Sequence, residues 1–292
     1  MQQTGCTLHQ PVLATIIGYN HSIMETPPAR RRWKFAGKLL LAAFIAVLLI
    51  LWLSYTPPGL LGKADAIGYA VCHRIDLRSF HLGERPLPLC SRCSGMYLGA
   101  LGGALYLLRK GKRGGLPPLK LAIPLSFLGV AFVIDGVNSY LHFFPGVTGL
   151  YEPSNTLRLI TGTGLGLLIP SVLLPAFHQT AWAEWDVRPA LDSWRSLGGL
   201  LLVGVSIVLL VLSENALILY PLALLSSAAV LAILSLCYGL LLLIITRHDN
   251  RARSLADLWL PLAAGFAIAL LQTAFIDFLR FSLTATWNGF TL

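Results

Sequence analysis

Two short patterns in the chain combine residue types that bind soft metals and exchange disulfides: Cys72–His73 and Cys90–Ser91–Arg92–Cys93. A Cys-x-x-Cys pair fits both a zinc knuckle and a redox couple. A third Cys and a nearby His would complete a tetrahedral site of three thiolates and one imidazole, and zinc suits that donor set. Cys72, His73, Cys90 and Cys93 are therefore the expected metal ligands. Neighbouring residues in regular structure point their side chains apart, so His81 or His142 is an alternative fourth ligand to His73. Two other chemistries stay open. An oxidised structural bridge forms where the compartment permits it. Thiol–disulfide exchange would use Cys90 as nucleophile, Cys93 as resolving thiol and Cys72 as exchange partner. A helix N-terminus and Arg92 beside Cys90 would both favour a reactive thiolate. Cys237 sits in an apolar stretch and reads as a small buried hydrophobe. Cys6 precedes Met24, which is an alternative start.

A second group is Asp135–Gly136–Val137–Asn138, followed by Asn155 and Arg158 with Thr161 and Thr163 one turn on. Asn155 can cap a helix start, and Arg158 three positions later shares its face. An arginine just inside a bilayer edge needs a partner, and Asp135 is the expected one. The pair reads either as an ion pair tying two helices together or as a carboxylate and guanidinium over a polar pocket. In the second case Asp135, Asn155 and Arg158 are the candidate catalytic residues, with Asp135 accepting a proton and Arg158 holding an anionic group beside the metal. Glu214, Gln272, Asp277 and Arg280 form a weaker group, and Asp277 and Arg280 at i,i+3 read as a local pair. Arg78, Arg85 and Arg92 put positive charge around the cysteines, which suggests an anion, a phosphate-bearing lipid or an acidic partner surface there.

The run Cys72–His73–Arg74, then Arg78–Ser79–Phe80, then Pro88–Leu89–Cys90–Ser91–Arg92–Cys93–Ser94–Gly95 resembles a family of predicted prokaryotic membrane proteins, domain of unknown function 2085. Asp135–Gly136, Ser154–Asn155, Arg158 and Thr161–Gly162 look like its second half, so the resemblance spans roughly residues 68–174. Where the family pattern has a Gln after the Asp-Gly pair, this chain has Asn138 and Ser139 nearby. The resemblance implies a membrane protein with this motif and carries no activity with it.

The elements that must position these residues are membrane helices. Of 292 residues, 55% are hydrophobic and only 12% charged, about half the charged share of a soluble domain. Mean hydropathy is +0.70, and the apolar residues fall in runs long enough to cross a bilayer. Net charge is +9, but the Lys and Arg residues flank apolar runs, as membrane orientation and contact with anionic lipid require. They do not form the aromatic-interleaved stripe of a nucleic-acid binder, so nucleic acid is not an expected partner.

The expected fold is all-α, a polytopic transmembrane bundle of about seven helices with a cytoplasmic N-terminus. The helices fall near residues 39–55, 93–108, 119–140, 155–174, 197–212, 217–246 and 258–280. In this threading the basic loops share one side and the cysteine loop, residues 59–89, lies on the extracytoplasmic side. Glycines at 95, 99, 102 and 103 and at 162, 164 and 166 suit close helix packing. Three segments are expected: a tail over residues 1–36, partly disordered; a motif-bearing membrane domain over 37–176; and further membrane helices over 177–292.

The leading functional expectation is a multi-pass protein of the cell membrane with an extracytoplasmic Cys/His zinc site beside an Asp/Asn/Arg pocket. The alternatives are a membrane thiol–disulfide oxidoreductase and a non-catalytic accessory or scaffold subunit that meets partner proteins in a larger membrane complex. Membrane lipids are partners in every case. A transporter is disfavoured because no matching pair of broken helices is evident.

Overall fold

The computed structural model describes residues 28–144 and 146–290, with side chains described from Ala36 onward. The expectations for Cys6, Met24 and the tail up to residue 27 lie outside the described residues. The chain divides into a unit ending at Leu40 and a second unit from Leu41 to Leu292.

Eight helices follow in order: α1 (Pro28–Tyr55), α2 (Gly59–Val71), α3 (Ser91–Leu108), α4 (Leu119–Leu141), α5 (Asn155–Ala181), α6 (Trp194–Leu212), α7 (Ala216–Ile245) and α8 (Leu255–Thr284). Six of them, α1 and α4 to α8, are long and apolar enough to cross a membrane. The protein is thus a multi-pass helical membrane protein, as its composition requires.

Helix α3 falls short of the other six in apolar character, yet its 18 residues span about 27 Å. It starts beside Asp135 near the end of α4 and finishes at the basic turn Arg109–Arg113. It can be more polar because its neighbours are helices: its most extensive contact is with α5. The glycines make that contact close. A Cβ on Gly162 would stand 2.1 Å from the Arg92 carbonyl oxygen, and one on Gly166 2.3 Å from that of Met96. Only a residue without a side chain allows the two backbones to meet at this distance.

The helix that sequence reasoning missed is α2, because Lys63 and Asp65 give Gly59–Val71 the look of a polar loop. Its polar groups are all engaged. Lys63 Nζ donates to the Thr56 carbonyl and hydroxyl oxygens at 2.9 Å, and Asp65 takes two arginines described below. A Cβ on Gly68 would lie 1.9 Å from the Pro88 carbonyl oxygen, so the strand of chain leading to Cys90 runs directly against α2.

Two small strand pairs tie the loops. Strands β1 (His81–Leu82) and β2 (Arg85–Pro86) form an antiparallel hairpin after a single 3-10 turn, Asp76–Arg78. Strands β3 (Arg113–Gly115) and β4 (Asp186–Pro189) pair in parallel, and Trp182 bridges to Ala252. These pairings gather the loops after α3, α5 and α7 at one end, the arrangement that the placement of basic residues predicts. Lys112 stands 3.4 Å over the Trp182 ring there.

Two local expectations are corrected. Asp277 and Arg280 do not form an ion pair. Asp277 Oδ2 accepts a hydrogen bond from Trp52 Nε1 at 2.9 Å, joining α8 to α1. Arg280 donates to the carbonyl oxygens of Tyr69 (2.6 Å) and Cys72 (2.9 Å), closing the C-terminal end of α2, where unpaired carbonyls attract cations. Cys237 is exposed on α7 and not buried, because the helix is apolar all round and sequence pattern alone does not show which face meets protein.

Candidate functional site

Cys72 follows the last residue of α2, with extended backbone at φ −135° and ψ 149°. Cys90 is the residue before α3 and Cys93 lies in its first turn. The Gly68–Pro88 approach brings these two chain segments together. The three sulfur atoms lie within 4.8 Å of one another, and all three residues are free thiols. Cys72 Sγ also accepts the backbone N–H groups of Cys90 (3.4 Å) and Arg74 (3.5 Å). The Cys72 thiol is held well below the usual thiol range, foremost by the hydrogen bond from Cys90 and next by that from Cys93. Cys90, the donor, is pushed up to about 12, with its bond to Cys72 as the main cause. The favoured thiolate of the trio is therefore Cys72 and not Cys90.

His73 does not join the sulfurs. Among the described residues no histidine nitrogen completes the cluster. The extended backbone at Cys72 turns the next side chain away, and the exposed His73 ring packs on Phe290 with centroids 5.5 Å apart. The alternatives fail as well. His81 Nε2 pairs with Asp76 Oδ1 at 3.1 Å, and His142 Nδ1 meets the Asn138 carbonyl oxygen at 2.8 Å. Of the expected Cys/His set, the structure brings Cys72, Cys90 and Cys93 together and leaves His73 outside the sulfur cluster.

The second group is also rearranged. The partner of Asp135 is Arg92, not Arg158. Arg92 Nε donates to Asp135 Oδ2 at 3.1 Å, and Nη2 contacts the same oxygen, the Asp135 carbonyl oxygen (3.0 Å) and Ser139 Oγ (2.9 Å). Tyr151 Oη donates to Asp135 Oδ1 at 3.0 Å, and Thr161 Oγ1 lies 3.3 Å from Oδ2. Asp135 is completely buried. Ser154, rather than Asn155, caps α5, its side chain accepting the Leu157 N–H at 3.2 Å. Asn155 instead donates to the Leu77 carbonyl oxygen (3.2 Å) and accepts from Arg158 Nη1 (3.0 Å).

The two groups meet in a cavity of about 280 Å³. Its wall includes all three cysteines, Arg78, Arg92 and Arg158. Asp135 and Asn155 stand behind this wall, holding Arg92 and Arg158. The mouth carries Tyr140 and Phe143 from the end of α4 and the turn after it.

Sequence reasoning gave no role to Asp65, which anchors the cysteine loop. Its carboxylate pairs with Arg74 at 2.8 Å and with Arg85. The available signal was an acidic residue about two helical turns before Cys72, ahead of a stretch rich in arginine. The C-terminal segment was missed entirely. Arg74 Nη1 donates to the Trp287 carbonyl oxygen at 3.0 Å, and the Phe290 N–H to that of His73 at 3.0 Å.

Residues 72–172 match the family described as predicted membrane protein (DUF2085). An uncharacterised protein of Methanothermobacter thermautotrophicus is 33% identical over 106 residues, which cover 36% of this chain and 86% of that protein. The chain belongs to this family. An uncharacterised protein of Methanocaldococcus jannaschii is similar too, 28% identical over 121 residues that cover 41% of this chain and 72% of the relative. No solved structure matches the chain. The family segment holds the three cysteines, the cavity arginines, Asp135 and Asn155, whereas α6 to α8 lie beyond it. Asp65 and the C-terminal segment that braces the Cys72 loop are likewise outside the matched residues.

Proposed function

We propose that the protein is a membrane protein carrying a three-thiolate metal centre, Cys72–Cys90–Cys93, on its extracytoplasmic side, with zinc as the ion. The observation that supports this reading is the meeting of three sulfurs from two distant chain segments within 4.8 Å. A tetrahedral ion with metal–sulfur bonds of about 2.3 Å keeps its sulfurs about 3.8 Å apart, a spacing that small side-chain rotations reach. Three protein ligands leave one position for water or an exogenous ligand, the pattern of a reactive rather than a purely structural zinc site. The wall shared by the cysteines and the cavity puts that position within reach of a ligand in the cavity. Bound there, the ion would supply Lewis acidity. Asp135 then acts as a positioning residue, fixing Arg92, and Asn155 does the same for Arg158.

Elemental analysis of the detergent-purified protein, paired with a free-thiol count before and after reduction, tests the reading. The expected result is one zinc per chain, lost in Cys72→Ser, Cys90→Ser and Cys93→Ser and retained in His73→Ala and Cys237→Ser. Stoichiometric zinc in Cys93→Ser would sink the assignment.

One observation favours a second reading, thiol–disulfide exchange: the Cys72 sulfur accepts two backbone N–H groups, which stabilise a thiolate. In that case Cys72 attacks a partner disulfide, and Cys90 or Cys93 resolves the mixed disulfide. Metal-free protein with two thiols that appear only on reduction would select this reading.

A further inference from the structure

Three arginines line the cavity beside the cysteines, and no carboxylate shares its wall. They are not equivalent. Arg92 is matched by the buried carboxylate of Asp135. Arg78 has no acidic partner among the described residues; it makes one long hydrogen bond, 3.4 Å, to the Ser139 carbonyl oxygen, and its guanidinium lies 4.0 Å over the Phe143 ring. Arg158 is only 7% exposed, gives Nη1 to the neutral Asn155, and keeps a buried Nε–H with no partner at all. A buried charged donor left unpaired is costly, and groups of this kind are normally satisfied. With Arg92 and Asp135 cancelling, the guanidinium groups of Arg78 and Arg158 are left in the wall without a carboxylate partner. Val71, Ile75, Tyr140 and Phe143 add apolar surface to the lining, which His73, Gly136 and Ser139 complete.

We propose that this cavity binds a phosphoryl oxyanion, held by Arg78 and Arg158. Arginine's planar fork suits phosphate oxygens, and its hydrogen bonds to them are charge-assisted. A volume of about 280 Å³ is at the small end of ligand pockets, which fits a phosphate or a lipid headgroup and not a large solute. Cationic groups within and apolar side chains at the mouth fit a phosphate attached to an apolar body; free phosphate offers the same oxygens without it. The proposal rests on the unpartnered donors of Arg78 and Arg158 and not on the metal reading.

The test is binding of inorganic phosphate, and separately of a short-chain phosphatidic acid, to the detergent-purified full chain by titration calorimetry, with zinc content measured on the same samples. Wild-type protein is expected to bind at least one of the two. Binding should weaken roughly tenfold or more in Arg158→Gln and Arg78→Gln, less in Arg158→Lys, and not at all in Arg188→Gln, a charge removed from the far end. Binding of the lipid alone identifies a headgroup as the source, and binding of both or of phosphate alone identifies the oxyanion itself. If Arg158→Gln does not fold, Arg78→Gln and Arg158→Lys carry the comparison. No binding of either probe, or equal binding by wild type and the Arg78 and Arg158 variants, overturns the proposal. The zinc reading fails or stands on the metal content alone.

Discussion

Arg92 and Arg158 carry the same charge and line the same cavity, yet only Arg92 has a carboxylate partner there. Arg92 makes a multidentate pair with Asp135, and Asp135 in turn accepts from Tyr151. Removing the acid would leave a largely buried guanidinium without its counter-charge, a change that costs about 3–5 kcal/mol in buried pairs. Asp135→Asn is therefore expected to lower the thermal midpoint of the detergent-solubilised protein markedly. The double variant Asp135→Leu/Arg92→Met should recover much of the loss, since replacing both charges by apolar groups removes the desolvation penalty. Equal midpoints for Asp135→Asn and wild type would show that the pair is not what holds α3 to α4. The single histidine substitution argues from the other direction. His73→Ala should keep its metal, because that ring packs on Phe290 and not beside the sulfurs.

Glycines govern how the elements meet. Gly68 in α2 and Gly162 in α5 each face a carbonyl oxygen of another segment, Pro88 and Arg92. The first contact sets the distance between Cys72 and Cys90, and the second sets the depth of α3 against α5. A methyl group at either site would overlap backbone that cannot yield by a side-chain rotation. Gly68→Ala is expected to reduce metal content while leaving far-ultraviolet circular dichroism unchanged, because it separates the two halves of the cysteine cluster. Gly162→Ala should instead lower the thermal midpoint, by an amount in the range of about 1–3 kcal/mol for overpacking. Full metal occupancy in Gly68→Ala would mean that α2 is not what places Cys72. Helix α2 itself was hidden in the sequence by Lys63 and Asp65. Those residues usually signal a loop; here Lys63 donates to Thr56 oxygens and Asp65 pairs with Arg74 and Arg85, partners that lie up to 20 residues away and have no local signature.

For the whole molecule, the strand pairing of β3 with β4 and the Trp182–Ala252 bridge gather three interhelical loops at one end. The cysteine loop and the α4–α5 connection meet at the other, where Asn155 bonds Leu77. The positive-inside tendency assigns the basic end to the cytoplasm. In a cysteine-free background, Lys110→Cys and Asp249→Cys are expected to react with a membrane-impermeant maleimide only after permeabilisation, and Glu84→Cys in intact cells. Labelling of Lys110→Cys and Glu84→Cys from the same side would refute the threading.

Amino-acid order alone determined the membrane class, the seven long helical stretches, the grouping of basic loops and the shortlist of Cys72, Cys90, Cys93, Asp135, Asn155 and Arg158. Those properties follow from local composition and from charge at helix ends, which a linear chain displays directly. Tertiary structure decided that three cysteines meet without His73, that Asp135 takes Arg92, and that Arg78 and Arg158 share a cavity with the sulfurs. Each of these depends on the rotation and depth of one helix against another. That register is fixed by glycine contacts between segments as far apart as Arg92 and Gly162, and no local pattern records it.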